Sequence, residues 1–141
     1  MQISARLHNT ASAHRVSVTT AGRDQPLAIE GRPGGGSAVN GGEFLMLALA
    51  TCYGNDLYRE AARLGIPLTE VEVQAVADFD GIGLAARDVR YSARIVSPAA
   101  PALIEQLLDA TDAVAEVHNT LRTGAQVRRL PWPGEALPLT A

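Results

Sequence analysis

The sequence is short of cysteine. Cys52 is the one cysteine among 141 residues, which excludes a disulfide within one chain. A redox cycle at this thiol would therefore need a second molecule, such as another subunit, a small thiol or a reducing protein. A lone cysteine is often only a small buried apolar residue, so a structural role is the alternative. With no apolar stretch of signal-peptide length at its start, the sequence predicts a reducing, cytoplasmic location.

The sequence also has few aromatic residues, no excess of positive charge and no long apolar run. Aromatics make up 4% of the chain, so an aliphatic core is expected. The net charge is −3 and the charges are mixed along the chain, so nothing resembles the basic surface that is typical of nucleic-acid binding. The longest apolar run, Phe44 to Ala50, is too short to cross a bilayer. The length predicts one domain over residues 1–141, with an extended proline-rich tail over 130–141.

Apolar and polar residues alternate in segments that predict two groups of strands. Residues 3–7 and 16–18 predict a hairpin, and 27–29 predict a weak third strand. Residues 71–79 and 89–95 predict a second hairpin with one solvent-exposed face. Strands grouped into hairpins, with helices between the groups, are typical of an α+β fold.

Helical spacing and end signals predict the remaining elements. Good helix formers over 43–64, followed by a glycine, predict a long helix. Ser97 and Pro98 have the residue types that begin a second helix, a hydroxyl N-cap and a proline at the first position. Residues 117–121 predict a short helix, and 126–129 predict an edge strand.

The long helix changes character along its length, and Cys52 lies where its two halves meet. Phe44 to Ala50 is apolar all round, which predicts burial on every side. A buried helix is hard to cover in so small a chain, so we expect a second copy to cover it in a homodimer. The second half has two predicted faces: apolar Leu57, Tyr58, Ala61, Ala62 and Leu64 against polar Asp56, Arg59, Glu60 and Arg63.

The glycine-rich segment 31–42 precedes this helix. It lacks the Lys-Ser/Thr ending of a phosphate-binding P-loop. A run so rich in glycine is also a poor helix or strand. We therefore expect a mobile loop that leads into the helix.

The reactivity of Cys52 depends on its neighbours. A helix N-terminus lowers a thiol pKa only within the first turn, whereas Cys52 lies about 13 Å along the helix. A nearby cation is therefore needed, and Arg15, Arg23 and Arg32 precede the helix in or beside loops. Asp56 alone would raise the pKa of a nearby thiol, because two anions repel each other.

Two other roles of Cys52, in a hydrolase and in metal binding, have less support in the sequence. Cys52, His118 and Asn119 have the residue types of a Cys-His hydrolase, but no local signature accompanies them. His8, His14 and His118 are scattered and have no ligand spacing with the cysteine. The sequence therefore predicts no metal site and no cofactor.

Three segments of the chain carry a further pattern. The first is Asn40-Gly-Gly-Glu-Phe-Leu-Met-Leu-Ala-Leu-Ala-Thr-Cys52, a glycine-containing loop, an acidic residue, an apolar run and a cysteine. The second is the turn at 65–73 into the next strand, and the third is Val117-His-Asn-Thr-Leu121. These segments resemble the OsmC/Ohr family, the osmotically induced and organic-hydroperoxide-resistance proteins, in which the third follows a second cysteine. The order of elements agrees from the first strand to Arg129.

The resemblance implies an α+β fold with antiparallel sheets around a long central helix, in an intertwined homodimer. It also implies thiol-dependent reduction of small organic hydroperoxides in an oxidative-stress response. In that cycle an arginine holds a cysteine thiolate, a glutamate positions the arginine, and a second cysteine forms a disulfide that a dithiol partner reduces. Cys52 matches the first cysteine, and Arg15 is the best match for the arginine.

Two positions depart from the family pattern. Ala115 stands at the position of the second cysteine, and Glu116 follows where the family has proline. Gly42 stands at the position of the glutamate. Glu43 is next to it, but nine residues place it half a helical revolution from Cys52, which suits a structural role.

Two functions therefore remain open. Cys52 reduces hydroperoxides in a one-cysteine cycle with an external thiol, or the dimer is a binding module for a small apolar ligand and Cys52 is structural. Other thiol chemistry, such as acyl transfer, is a lesser alternative. We expect four residues to contribute to binding: Glu43, Asn55, Asp56 and His118.

Overall fold

The computed structural model describes residues 1–133. Most of the predicted tail, from residue 134, lies outside the described residues. The strands are β1 (Ile3–Asn9), β2 (His14–Thr20), β3 (Arg23–Leu27), β4 (Glu70–Asp78) and β5 (Arg87–Val96). The helices are α1 (Gly41–Leu64), α2 (Pro101–Val114) and α3 (Glu116–Thr123). This order, with a three-stranded and a two-stranded sheet, confirms the predicted α+β fold.

The chain divides into two compact units, and the prediction of a single domain stays a prediction. The first unit holds residues 1–51 and 73–93, and the second holds 52–72 and the described residues from 94. Helix α1 and the hairpin of β4 and β5 contribute residues to both units.

The first unit contains an antiparallel sheet in the order β1-β2-β3. Leu7 pairs with Val16, and Val16 pairs with Leu27. The third strand shares only Leu27 with the segment 27–29 that the sequence predicted, so that boundary was wrong. Pro26 lies within β3 opposite Ser17. A proline is tolerated there because β3 is an edge strand, where a missing N–H need not pair.

The glycine-rich segment packs against the turn between β1 and β2. Gly31 forms an isolated bridge with Ser37. A Cβ on Gly31 would come within 3.0 Å of the His14 Cβ, and one on Gly35 within 3.2 Å of the Asn9 side chain. Close packing on a neighbouring turn therefore favours glycine at both positions.

Helix α1 begins with a capping box. The Asn40 backbone N–H donates to Glu43 Oε2 at 2.7 Å, and the Glu43 N–H donates to Asn40 Oδ1 at 2.9 Å. These two bonds satisfy backbone donors that the first helical turn leaves unpaired. Glu43 thus stabilises the start of the helix, as its distance from Cys52 along the helix suggested.

The core of the second unit consists of one row of residues on α1 and one row of residues on α2. Tyr53, Leu57 and Ala61 lie at intervals of four residues and are 0–2% exposed. Leu107 and Thr111, also four residues apart, are fully buried. The Tyr53 hydroxyl donates to the Leu108 carbonyl oxygen at 3.0 Å and so joins the two helices.

The predicted faces of the second half of α1 were partly wrong. Asp56 and Glu60 are 4% and 6% exposed, whereas Tyr58 is 54% exposed. The two carboxylates lie beside the buried row because Arg59 and Arg63 pair with them. Buried carboxylates are tolerated when such partners offset the loss of water.

The first half of α1 is not buried on every side by its own chain. Leu49 is 2% exposed, but Leu47 is 58% exposed. The prediction that a second copy covers this half therefore stays a prediction.

Two further boundaries differ from the prediction. Helix α2 begins at Pro101, because the residue before a proline is driven to extended backbone, and Ala100 has φ −61° and ψ 146°. Ser97 donates instead to the Pro67 carbonyl oxygen at 2.6 Å. Residues 126–129 form no strand, and Val127 is 96% exposed. The short helix over 117–121 is confirmed by α3, which ends at Gly124 with φ 71°.

The helices of residues 1–133 include none that is long and apolar enough to span a membrane.

Truncation of Leu57 tests the importance of the buried row. We expect Leu57→Ala to lower the free energy of unfolding by about 2–5 kcal/mol, because the cavity left by a fully buried leucine is not refilled. Urea denaturation measures the change. Leu84→Ala is the matched control, since Leu84 is 60% exposed and its truncation should change stability by less than about 0.5 kcal/mol. Equal effects of the two substitutions would contradict this assignment of the core.

Candidate functional site

Cys52 lies in α1, half-buried, beside the buried row of the second unit. The next residue, Tyr53, is anchored to Leu108, which fixes the rotation of the helix at this point. Burial of Tyr53, with the negative charges of Asp112 and Asp109, raises its pKa to about 12. The phenol therefore stays protonated and keeps donating this hydrogen bond at ordinary pH.

Two carboxylates approach the Cys52 sulfur. Asp56, one helical turn later, places Oδ2 at 3.7 Å from Sγ, and Glu116 places Oε2 at 3.8 Å. Glu116 is the first residue of α3, and the fully buried Ala115 precedes it. The thiol can donate to either carboxylate, so the sulfur lies in a part-buried acidic cluster.

Arg59 is the cation of this cluster, and it pairs with the carboxylates. Arg59 places Nη1 at 3.0 Å from Asp56 Oδ1 and 3.9 Å from Glu116 Oε1, and its Nε lies 3.6 Å from Glu60 Oε1. The guanidinium thus bridges three acidic groups. Its charge offsets the mutual repulsion of the three carboxylates.

The charges around Cys52 favour the neutral thiol. Burial is the largest cause of the raised pKa of Cys52. A hydrogen bond from the Val117 backbone lowers this pKa, and the negative charges of Asp56 and Glu116 raise it again. Burial and the nearby Glu116 also raise the pKa of Asp56, although Arg59 opposes this. Near neutral pH the sulfur therefore carries its proton.

His118 lies in α3 and is 3% exposed. Its ring centroid is 5.5 Å from that of Tyr53, with the planes inclined at 50°. Burial, then the positive charge of Arg122, lowers the pKa of His118. Asn119 donates to the Ala113 carbonyl oxygen and accepts from Arg122. These contacts support the packing of α3 and add nothing to the hydrolase alternative.

Three other predicted site residues, Arg15, Glu43 and Asn55, each have their own local environment. Arg15 is exposed on β2, belongs to the first unit, and lines a cavity of about 520 Å³ there. Glu43 caps α1, and Asn55 is exposed. The catalytic role of Arg15 and the binding roles of Glu43, Asn55, Asp56 and His118 stay predictions.

Packing leaves little room for a side chain at Gly42, where the family has a glutamate. A Cβ on Gly42 would lie 3.2 Å from the Phe79 ring. A glutamate at this position would therefore require Phe79 to shift, so its absence agrees with the local structure.

Sequence reasoning missed Glu116 as a neighbour of the sulfur. The available signal was that Glu116 replaces a proline of the family pattern, next to the position of the family's second cysteine. Within residues 1–133, the ligand atoms of Cys52, Asp56 and Glu116 lie within 4.8 Å of one another and could contact a metal ion. Arg59 already supplies positive charge to both carboxylates, so the cluster alone does not make a metal site.

The chain matches known proteins in family and fold. The family model of OsmC-like proteins matches residues 34–128. None of the curated protein sequences matches the chain.

Several solved structures share the fold. The OsmC-like protein from Mycoplasma pneumoniae is 17% identical, with 87% of each chain covered and a TM-score of 0.62. An organic hydroperoxide resistance protein from Elizabethkingia anophelis is 17% identical, with 88% of this chain and 90% of that chain covered and a TM-score of 0.58. An OsmC-like hydroperoxide resistance protein from Jannaschia sp. CCS1 is 15% identical, with 95% and 93% covered and a TM-score of 0.57. The family match spans most of the chain and includes Cys52 and Glu116, so this protein belongs to the OsmC-like family.

Proposed function

We propose that Cys52 reduces small organic hydroperoxides in a one-cysteine cycle completed by an external thiol. The observation that carries the proposal is the half-buried Cys52 sulfur, with Asp56 and Glu116 within hydrogen-bonding range of the thiol. The position of Cys52 in the family pattern and the names of the structural neighbours, hydroperoxide resistance proteins, support the type of reaction.

Asp56 is the proposed acceptor of the thiol proton. The attacking species is the thiolate, and the charges around Cys52 favour the thiol, so the proton must leave before attack. Asp56 Oδ2 lies 3.7 Å from the sulfur, and a raised pKa makes its carboxylate a stronger base than an ordinary aspartate. The thiolate then attacks one peroxide oxygen, the O–O bond breaks, and the leaving alkoxide takes the proton. The products are a sulfenic acid at Cys52 and an alcohol.

An external thiol completes the cycle. It condenses with the sulfenic acid to give a mixed disulfide and water, and a second thiol then displaces Cys52 as a free thiol. The fully buried Ala115 stands where the family has its second cysteine, so the chain supplies no thiol for this step. A reducing, cytoplasmic location would supply one. In this proposal Arg15 would stabilise the thiolate, as the family resemblance implies.

A dimeric binding module is the second candidate, favoured by the raised pKa of Cys52. A thiol held neutral by burial and two carboxylates behaves as a small packing residue. In this case the protein binds a small apolar ligand without turnover. Oxidation of Cys52 would then be no faster than that of free cysteine.

We also propose that the protein is a homodimer. Leu47 and Tyr58 are 58% and 54% exposed. They lie about three helical turns apart on α1 and therefore face the same way. Exposed apolar residues on one face of a long helix are typical of an interface between subunits.

Oxidation of Cys52 by tert-butyl hydroperoxide tests the catalytic proposal. We expect intact mass spectrometry to show addition of one oxygen, faster than for free cysteine, and its reversal by a small thiol. Cys52→Ser is the control and should show no such addition. A thiol that reacts no faster than free cysteine would refute the peroxidase proposal and leave the binding module.

Glu116→Gln tests the electrostatics of the cluster. Removing a negative charge near the sulfur lowers the pKa of Cys52, so the thiolate fraction at a given pH rises. We expect the pH profile of alkylation by iodoacetamide to move to lower pH and alkylation at pH 8 to become faster. Glu105→Gln, on the exposed side of α2, changes the net charge equally and should leave the profile in place. An identical profile for the two variants would show that Glu116 has no effect on the thiol.

Leu47→Glu tests the proposed dimer. A charge on the exposed apolar face of α1 should lower the molar mass measured by light scattering from that of a dimer to that of a monomer. Leu84→Glu, at a residue of similar exposure in the loop between β4 and β5, should remain dimeric. A wild-type protein that is already monomeric would disprove the proposal.

A further inference from the structure

The carboxylates beside Cys52 act on any molecule that reaches the sulfur. Asp56 Oδ2 and Glu116 Oε2 lie 3.7 Å and 3.8 Å from Sγ. A reacting atom in contact with the sulfur, at about 3.5 Å, is therefore no more than about 7 Å from either oxygen, whatever its direction of approach. Charges at this separation still interact at physiological ionic strength, where the screening length is about 8 Å. A charge beside the reacting atom is therefore subject to the field of the acidic cluster.

Arginines cancel only part of the negative charge of this cluster. Arg59 pairs with Asp56 and Glu116. It also pairs with Glu60, as Arg63 does. Three carboxylates thus share two guanidinium groups, which leaves one negative charge over. One oxygen of each of the first two carboxylates approaches the sulfur, while the other oxygen approaches Arg59. The charge that the cluster presents to the sulfur is therefore negative.

The helices α2 and α3 do not offset this negative charge. Besides His118, Arg122 is the one basic residue in the two helices. Arg122 forms an ion pair with Asp112, with 2.8 Å between Nη2 and Oδ1. His118 is buried, and this burial is the largest cause of its lowered pKa, so its ring is uncharged near neutral pH.

Glu116 is the carboxylate of the cluster that can be changed with least damage to packing. Its side chain is 72% exposed, whereas that of Asp56 is 6% exposed. Asp56 is also the proposed acceptor of the thiol proton, so its removal would affect the chemistry as well as the charge. Glu116 begins α3 at a position where the family pattern has proline, so its charge is a departure of this chain from that pattern.

We propose that Cys52 reacts with neutral hydroperoxides in preference to anionic ones, and that Glu116 is the specificity-determining residue. The substrate class rests on the peroxidase function proposed above. An uncharged alkyl hydroperoxide meets no charge repulsion at the sulfur, whereas one with a carboxylate beside the peroxide does. The reaction is unchanged: the thiolate takes one peroxide oxygen, the O–O bond breaks, and the alkoxide leaves with a proton. Repulsion lowers the rate at which an anionic substrate reaches the thiolate.

A matched pair of hydroperoxides tests the substrate class. The carboxylate 3-hydroperoxy-3-methylbutanoate and its methyl ester have the same tertiary peroxide, and only the first is charged. With each rate divided by that of free N-acetylcysteine amide, we expect the ester to oxidise Cys52 at least about tenfold faster than the carboxylate. The ester is the larger molecule, so a steric barrier would give the opposite order. Intact mass spectrometry follows the addition of one oxygen.

Iodoacetamide and iodoacetate test the charge preference without any turnover. With either reagent the thiolate forms a C–S bond and iodide leaves. Because both reagents need the same thiolate, the ratio of their rates at one pH does not depend on the pKa of Cys52. Relative to N-acetylcysteine amide, we expect the ratio to favour iodoacetamide by at least about tenfold. In about 1 M salt, where the screening length falls to about 3 Å, this preference should shrink.

Glu116→Gln should bring both rate ratios towards those of N-acetylcysteine amide, because it removes a negative charge beside the sulfur. Glu105→Gln is the matched control. Glu105 is exposed and precedes the buried Leu107 by two residues, so it lies on the opposite side of α2. This variant should keep the wild-type ratios.

Wild-type ratios equal to those of N-acetylcysteine amide would overturn the proposal, because positive charge from elsewhere, such as Arg15, would then cancel the cluster. Equal ratios in the two glutamine variants would overturn the role of Glu116. If neither hydroperoxide oxidises Cys52 faster than free cysteine, the peroxidase function fails, and the alkylation ratio alone decides whether the site selects by charge. Circular dichroism checks that the variants are folded. If Glu116→Gln is unfolded, the wild-type ratios and their salt dependence decide the question.

Discussion

The anchoring of α1 by its buried row of Tyr53, Leu57 and Ala61 is the constraint on which the acidic cluster depends. The hydrogen bond from Tyr53 to the Leu108 carbonyl oxygen joins this row to α2 and fixes the rotation of α1. Cys52, Asp56 and Glu60 form the next row along the same helix, again at intervals of four residues. Once the first row is buried, the second must lie at its edge. The half-buried state of the thiol and the burial of both carboxylates follow from that.

The cluster around Cys52 differs in its electrostatics from a thiolate site built on a cation. Two carboxylates approach the sulfur, and Arg59 neutralises them and not the thiol. Such an arrangement makes the thiol a weaker nucleophile at neutral pH and gives it a nearby base. A peroxidase of this kind would depend on proton removal and on an outside thiol, whereas a binding protein would gain only a well-packed neutral side chain. Both candidate functions are consistent with the same contacts, and the rate of Cys52 oxidation distinguishes between them.

The two units concentrate opposite charges around different elements. Carboxylates gather at the sulfur in the second unit, and arginines and histidines gather along the sheet cavity in the first. Solved structures of OsmC-like and hydroperoxide resistance proteins share the fold at 15–17% identity, so the architecture persists while most residues differ.

The sequence by itself determined the α+β fold, the long helix and the short α3, because apolar periodicity and terminal glycines are local signals. It also indicated Cys52 as the candidate site residue and a structural role for Glu43, since nine residues place Glu43 half a helical revolution from Cys52. It placed Asp56 and Glu60 on a solvent-exposed face, because a helical pattern does not show which carboxylates will find an arginine. The approach of Glu116 to Cys52 was decided only by the tertiary structure. It joins residues 64 positions apart in the chain through packing contacts that no local pattern encodes.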